Sequence, residues 1–166
     1  MNLHEALVDS EFLALHMNHA LDLARQSLPT DIPIGAVIVS LENNEVISEG
    51  FNTRQQSHDA TDHAEVIAIR RACEKLSSKR LNDCVIFTTL EPCIMCAGSL
   101  IQAHIGAVVF GAHDPQYGAA GSIYNFFVDP RLSHNATVIG GILEEECSTL
   151  VNEFFESVRK TNPVTP

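Results

Sequence analysis

Residues 62–76 read DHAEVIAIRRACEKL, residues 85–89 VIFTT, residues 92–103 PCIMCAGSLIQA and residues 107–110 AVVF. The first and third stretches read as helices, the second and fourth as short β-rich strands. Pro92 suits the first position of the second helix, where its missing N–H costs nothing. Upstream, Gly35 to Val39 and Val46 to Phe51 flank Glu42-Asn43-Asn44-Glu45, a hairpin pattern. Before them, Leu13, Met17, Ala20, Leu21, Ala24 and Leu28 recur at helical spacing over 12–28, with Ser10 as candidate N-cap and Pro29 as terminator. Downstream, Thr137 to Ile139 reads as a fifth strand, followed by a helix from Glu144 to Lys160. Three glutamates open that last helix and Arg159-Lys160 close it, matching the helix dipole. The order αββαβαβ, a loop, then βα predicts an α/β fold: a mixed five-stranded sheet covered by helices on both faces. The loop from Gly111 to His134 is too long for a mere connection and reads as functional.

At 166 residues without repeat or linker, the chain reads as one domain, 1–166, with residues 1–10 expected to be a flexible extension. No apolar run is long enough to span a bilayer, and Met1 to Asp9 lacks the pattern of a signal peptide. Cysteine is odd in number, five, and two of the five form a Cys-x-x-Cys. This favours a reducing compartment with a metal or redox site over a disulfide framework, and hence a cytoplasmic protein. The net charge of −11 is unlike the basic footprint of most RNA binders. Total charge does not describe a local patch, however, and basic residues cluster at Arg70, Arg71, Lys75, Lys79 and Arg80.

Chemistry concentrates in His63-Ala64-Glu65 and Pro92-Cys93-Ile94-Met95-Cys96. Three residues apart on a helix, Cys93 and Cys96 face the same way, and a helix N-terminus favours the thiolates that ligate metal. With His63 they make three protein ligands, which leaves the fourth tetrahedral position of a zinc ion open for water or hydroxide, as in catalytic sites. Zinc lowers the pKa of such a water to about 7. Glu65, two residues from His63, can lean over the metal and shuttle protons in a hydrolytic attack on an amidine-like ring carbon. Taken singly, a His-x-Glu at a helix start is commonplace, and a Cys-x-x-Cys could be a redox pair or two core cysteines. Only their combination, one motif opening each helix with a single strand between, is specific. Cys73, Cys84 and Cys147 read as core residues, and His4, His16 and His19 as surface positions.

These motifs resemble the cytidine and deoxycytidylate deaminase superfamily. Within it, the sequence is similar to the bacterial tRNA adenosine deaminases from Met17 to about Lys160. The likeness rests on Met17-Asn18-His19-Ala20-Leu21, Pro33-Ile34-Gly35-Ala36-Val37, Thr89-Leu90-Glu91-Pro92-Cys93, Val109-Phe110-Gly111-Ala112 and Gly118-Ala119-Ala120-Gly121-Ser122. The last of these discriminates best against relatives acting on free guanine or cytosine. The resemblance implies a three-layer α/β/α cytidine-deaminase-like fold and one Zn2+ per subunit on His63, Cys93 and Cys96, with Glu65 catalytic. It further implies that Asn52 and the Ala64 backbone N–H meet the flipped-out adenine, and that Asp114 contacts a neighbouring ribose–phosphate. The implied substrate is the anticodon stem-loop of a tRNA, an arginine tRNA being the expected one, and the implied assembly a homodimer. An anticodon base is already unpaired, so extruding it costs little. Asn52 and Asp114 also stand where turns favour Asn and Asp. The chain departs from the family in His113-Asp114-Pro115-Gln116-Tyr117, where a basic loop is common, and in Asp62, Ala60 and its overall acidity. The alternatives are a deaminase of a free base or nucleoside such as guanine or cytosine, and a silent RNA-binding module with structural zinc.

Overall fold

A computed structural model describes residues 2–161. Five strands form one sheet in the order β2-β1-β3-β4-β5. The strands β1 (Gly35–Ser40) and β2 (Val46–Phe51) are the expected hairpin. On its other edge β1 pairs antiparallel with β3 (Cys84–Leu90). Strand β4 (Ala107–Ala112) runs parallel to β3, and β5 (Thr137–Ile139) parallel to β4. A parallel pair needs a crossover, and here it is helix α5 (Ile94–Gln102).

Strands β1, β3 and β4 are buried along nearly their whole length because both faces are covered. Ala36, Ile38, Ile86, Val108 and Phe110 point into one core with Ala68, Ala72 and Leu100. Those last residues come from α4 (Ala64–Lys75) and α5. Val37, Val39, Val85, Phe87 and Val109 point into the opposite core, with Met17, Leu21 and Cys147. These belong to α2 (Ser10–Ala24) and α6 (Glu144–Thr161). Alternation with period two thus divides each strand between two cores, giving the expected three layers.

Near the N-terminus, four local readings differ from the sequence expectations. Residues 3–8, within the segment expected to be a flexible extension, form α1 (Leu3–Val8), started by a reciprocal Asn2–Glu5 capping box and burying Ala6. The N-cap of α2 is Asp9 rather than Ser10, its Oδ1 accepting from the Glu11 and Phe12 amides at 3.0 and 3.1 Å. Helix α2 stops at Ala24, and a 3-10 turn covers Arg25–Ser27. His16 is buried, not on the surface: its ring lies 4.6 Å from that of Phe12 and 5.1 Å from that of Phe87. Burial holds its pKa below the usual histidine range, so it packs as a neutral aromatic ring.

Helix α4 rests directly on β2 at Gly50. A Cβ at Gly50 would lie 2.3 Å from the Ala64 carbonyl oxygen and 2.9 Å from the Ala68 nitrogen, both backbone atoms that cannot step aside. Gly50→Ala is therefore expected to cost about 3 kcal/mol by overpacking. It should also weaken metal retention, because the helix pushed away carries His63 as its N-cap. Thermal unfolding and metal content of the purified variant check both effects.

Candidate metal and deamination site

The site forms where two helix N-termini meet the end of β3. His63 is the N-cap residue of α4 and Cys93 that of α5, both in extended backbone, and Cys96 lies in the first turn of α5. Pro92 accordingly stands one position before the cap, not at the first helical position. Its carbonyl accepts the Ala119 amide at 2.8 Å, which holds the incoming chain. The two helices aim their unpaired N–H groups at this point, a partial positive charge that favours thiolates.

His63 Nδ1 lies 3.7 Å from Cys93 Sγ and 3.4 Å from Cys96 Sγ. All three donor atoms fall within 4.8 Å of one another, the single His/Cys/Asp/Glu cluster of this kind among the described residues. Tetrahedral zinc, with bonds of about 2.3 Å to sulfur and 2.0 Å to nitrogen, separates N and S by about 3.5 Å. The donors are thus already spaced as a zinc ion needs them. The Cys96 thiol donates to Cys93, which pushes the Cys93 pKa down to about 4 and the Cys96 pKa up. By contrast, burial raises Cys84 to about 11 and Cys147 to about 12, and Cys73 also rises. Those three are thiols of the core or its edge, as expected, whereas Cys93 and Cys96 stand within metal-ligating reach of His63, with Cys93 favoured as thiolate.

Glu65 is buried in the first turn of α4, and burial raises its pKa to about 7. Its Oε2 has no hydrogen-bond partner in the structure. A buried unpartnered carboxylate oxygen costs stability and marks a site kept for something other than folding.

Asn52 follows β2 and is buried, its amide donating to Ile32 O at 3.0 Å and its Oδ1 accepting from the Arg54 amide at 3.5 Å. The next residue, Thr53, donates from its amide to Asp62 O at 3.2 Å, beside His63. Ala64 offers one of the N–H groups of α4 that precede the first intrahelical bond, made by Ile67 N to His63 O at 3.0 Å. Asp114 follows β4, and its Oδ1 accepts from the Gln116 and Tyr117 amides at 2.9 and 3.0 Å, the turn role its residue type favours. Gly118, in the same loop, makes a β-bridge with Cys93.

Three features here were not singled out from sequence. Exposed Arg54 lies close enough to His63 to act on its charge. Buried Asp31 accepts the Gln55 and Gln56 amides at 2.7 and 3.3 Å, tying the chain before β1 to the short helix α3 (Arg54–Ser57). Buried Glu91, at the end of β3, anchors the loop after β4.

The sequence profile of the cytidine and deoxycytidylate deaminase zinc-binding region matches residues 10–112, a stretch that contains His63, Glu65, Cys93 and Cys96. The chain belongs to this deaminase family. It is 40% identical over 160 residues to the tRNA-specific adenosine deaminase of Haemophilus influenzae, covering 96% of this chain and 92% of that one. It is 39% identical over 147 residues to the tRNA-specific adenosine deaminase of Bacillus subtilis, covering 88% and 90%. A solved structure from work on A-to-I editing by tRNA:A34 deaminases at the wobble position superposes with a TM-score of 0.78 at 38% identity, covering 82% of this deaminase and 98% of that chain. The guanine deaminase of Bacillus subtilis superposes less closely, with a TM-score of 0.58 at 31% identity over 92% and 96%. His63, Cys93 and Cys96 are positioned to hold the metal of this zinc-binding domain.

Proposed function

We propose that this deaminase hydrolyses adenosine to inosine at the wobble position of a tRNA anticodon, releasing ammonia. The observation that carries the reading is end-to-end likeness to tRNA-specific relatives, joined to a His63–Cys93–Cys96 donor triangle with Glu65 beside it. Bound zinc would supply a Lewis acid that makes hydroxide available from water near neutral pH. Glu65 takes the proton that the attacking water loses and gives it to ring N1 as the oxygen bonds to C6. It then moves the remaining hydroxyl proton to the amino group, which leaves as ammonia while the C6 carbonyl forms. A group raised to about 7 by burial both accepts and releases a proton at neutral pH.

Asn52, fixed through Ile32, presents its side chain to the purine edge, and the Ala64 N–H meets the group at C6. Asp114 shapes the turn that offers the loop to the neighbouring ribose–phosphate. Arg54 supplies positive charge at the mouth of an otherwise acidic protein. An arginine tRNA is the expected substrate, in the cytoplasm; no helix among the described residues is long and apolar enough to cross a membrane. A homodimer fits the shallow apolar groove between α4 and α5, lined by Ile69, Cys73, Ile94 and Met95. There Gly98 leaves room for a second copy to approach closely.

The net charge of −11 and the likeness to a guanine deaminase favour a second reading, deamination of a free base. Ammonia release from an anticodon stem-loop, from guanine and from cytosine, measured side by side, separates the two. The first reading expects ammonia from the stem-loop alone. Release from a free base alone would replace it with the second.

A further inference from the structure

Glu91 is only 2% exposed and directly follows the buried strand β3. Its carboxylate gathers donors from 23 to 31 residues downstream. The Asp114 amide donates to Oε2 at 3.0 Å, and the Ala120 and Ser122 amides to Oε1 at 3.0 Å each. The Ser122 hydroxyl also donates to Oε2, and His113 Nδ1 stands 3.7 Å from the same oxygen. Gly118 passes so near that a Cβ there would lie 2.5 Å from the Glu91 carboxyl carbon and 2.5 Å from the Asp114 carbonyl oxygen. The backbone at Glu91 and the next residue reinforces the contact: Glu91 N donates to Ala112 O at 2.8 Å and Ala119 N to Pro92 O at 2.8 Å.

We propose that Glu91 is a positioning residue for the substrate: its carboxylate docks the loop 113–122 beside the metal ligand Cys93, so that the loop meets RNA preformed. This rests on the reading of that loop as RNA-facing. The chemistry of the site requires a carboxylate. Every group pointing at it is an N–H or O–H donor, and only an ionised carboxylate offers two oxygens that accept and nothing that donates. Glutamine, of the same shape, would turn an NH2 toward those donors and leave buried N–H groups unsatisfied. An alanine loop anchor would free the segment altogether. Loop residues placed in advance spare the ordering cost that RNA binding otherwise pays, so the effect belongs in KM rather than in the chemical step. A residue that served only general stability would move neither parameter once the protein is folded.

The test compares wild type with Glu91→Gln, Glu91→Asp and Ser122→Ala on an anticodon stem-loop with adenosine at the wobble position. It also measures zinc per chain and the rate of chymotryptic cleavage after Tyr117, exposed within the loop, and after Tyr124, exposed two residues beyond it. Glu91→Gln is expected to raise KM about tenfold or more, leave kcat within about threefold, keep its zinc and speed cleavage. Glu91→Asp, which keeps the acceptor, should restore most of the KM. Ser122→Ala, which removes one surface donor, should show the same pattern at about threefold. Unchanged KM with lowered kcat, lost zinc, or cleavage at the wild-type rate overturns the proposal. If Glu91→Gln does not fold, an unaltered KM and cleavage rate in Ser122→Ala overturn it. A wild-type protein inactive on the stem-loop would refute the RNA reading instead, and the cleavage rates would still decide whether Glu91 holds the loop.

Discussion

Glu65→Gln is expected to lower kcat for deamination by about a thousandfold, within the range that positioned acid–base groups supply, while zinc stays bound. Glutamine fills the same space but neither takes a proton from water nor returns one to the ring. Because Glu65 is buried and its Oε2 has no partner, its replacement by a neutral amide relieves the cost of burying a charge. The thermal midpoint should therefore hold or rise as activity falls, the opposite of what a structural residue shows. Single-turnover rates, metal analysis and a melting curve on one preparation give all three quantities. Loss of zinc together with activity would make Glu65 a metal-holding residue and undo the proton-shuttle role.

Cys96→Ala is expected to empty the site and reduce activity to background, and added zinc should not restore it. The donor triangle has three corners, and the two left after truncation, His63 Nδ1 and Cys93 Sγ at 3.7 Å, cannot hold a catalytic zinc against a chelator. Wild-type protein stripped by the same chelator should recover fully when zinc is returned. Cys84→Ala is the control, since Cys84 is a buried thiol whose pKa burial raises to about 11. It should lose some stability and keep both metal and activity. Equal metal loss in the two variants would mean that the triangle is not the zinc site.

The site was legible where chemistry and helix geometry share one short motif. Cys93 and Cys96, three residues apart, share one direction by spacing alone, and His63 with Glu65 stands at the start of the other helix, beside them. The five strands were legible as short runs rich in apolar residues, though three extend beyond the reading: β1 continues to Ser40, β3 starts at Cys84 and ends at Leu90, and β4 continues to Ala112. His16 was misplaced because its polar side chain hides that it shares the buried face of α2 with Phe12 and Ala20, four residues to either side. The Asn2–Glu5 capping box was readable and outweighs terminal position as a guide to order in residues 3–8. Glu91 was beyond sequence reasoning of this kind. Three of its partners are backbone N–H groups from a distant loop, and a backbone N–H has no signature in the sequence. Asp114 shows the converse: its residue type correctly announces a turn, whatever further contact its loop makes.

Wobble-adenosine deamination is expected to run on a zinc site built on His63, Cys93 and Cys96. Its most direct test is to incubate zinc-loaded protein with an arginine tRNA transcript carrying adenosine at the wobble position, digest the RNA and map inosine by mass spectrometry. Inosine is expected at that one position and nowhere else in the transcript. Zinc-loaded protein that leaves the adenosine intact, yet releases ammonia from free guanine or cytosine, would contradict it.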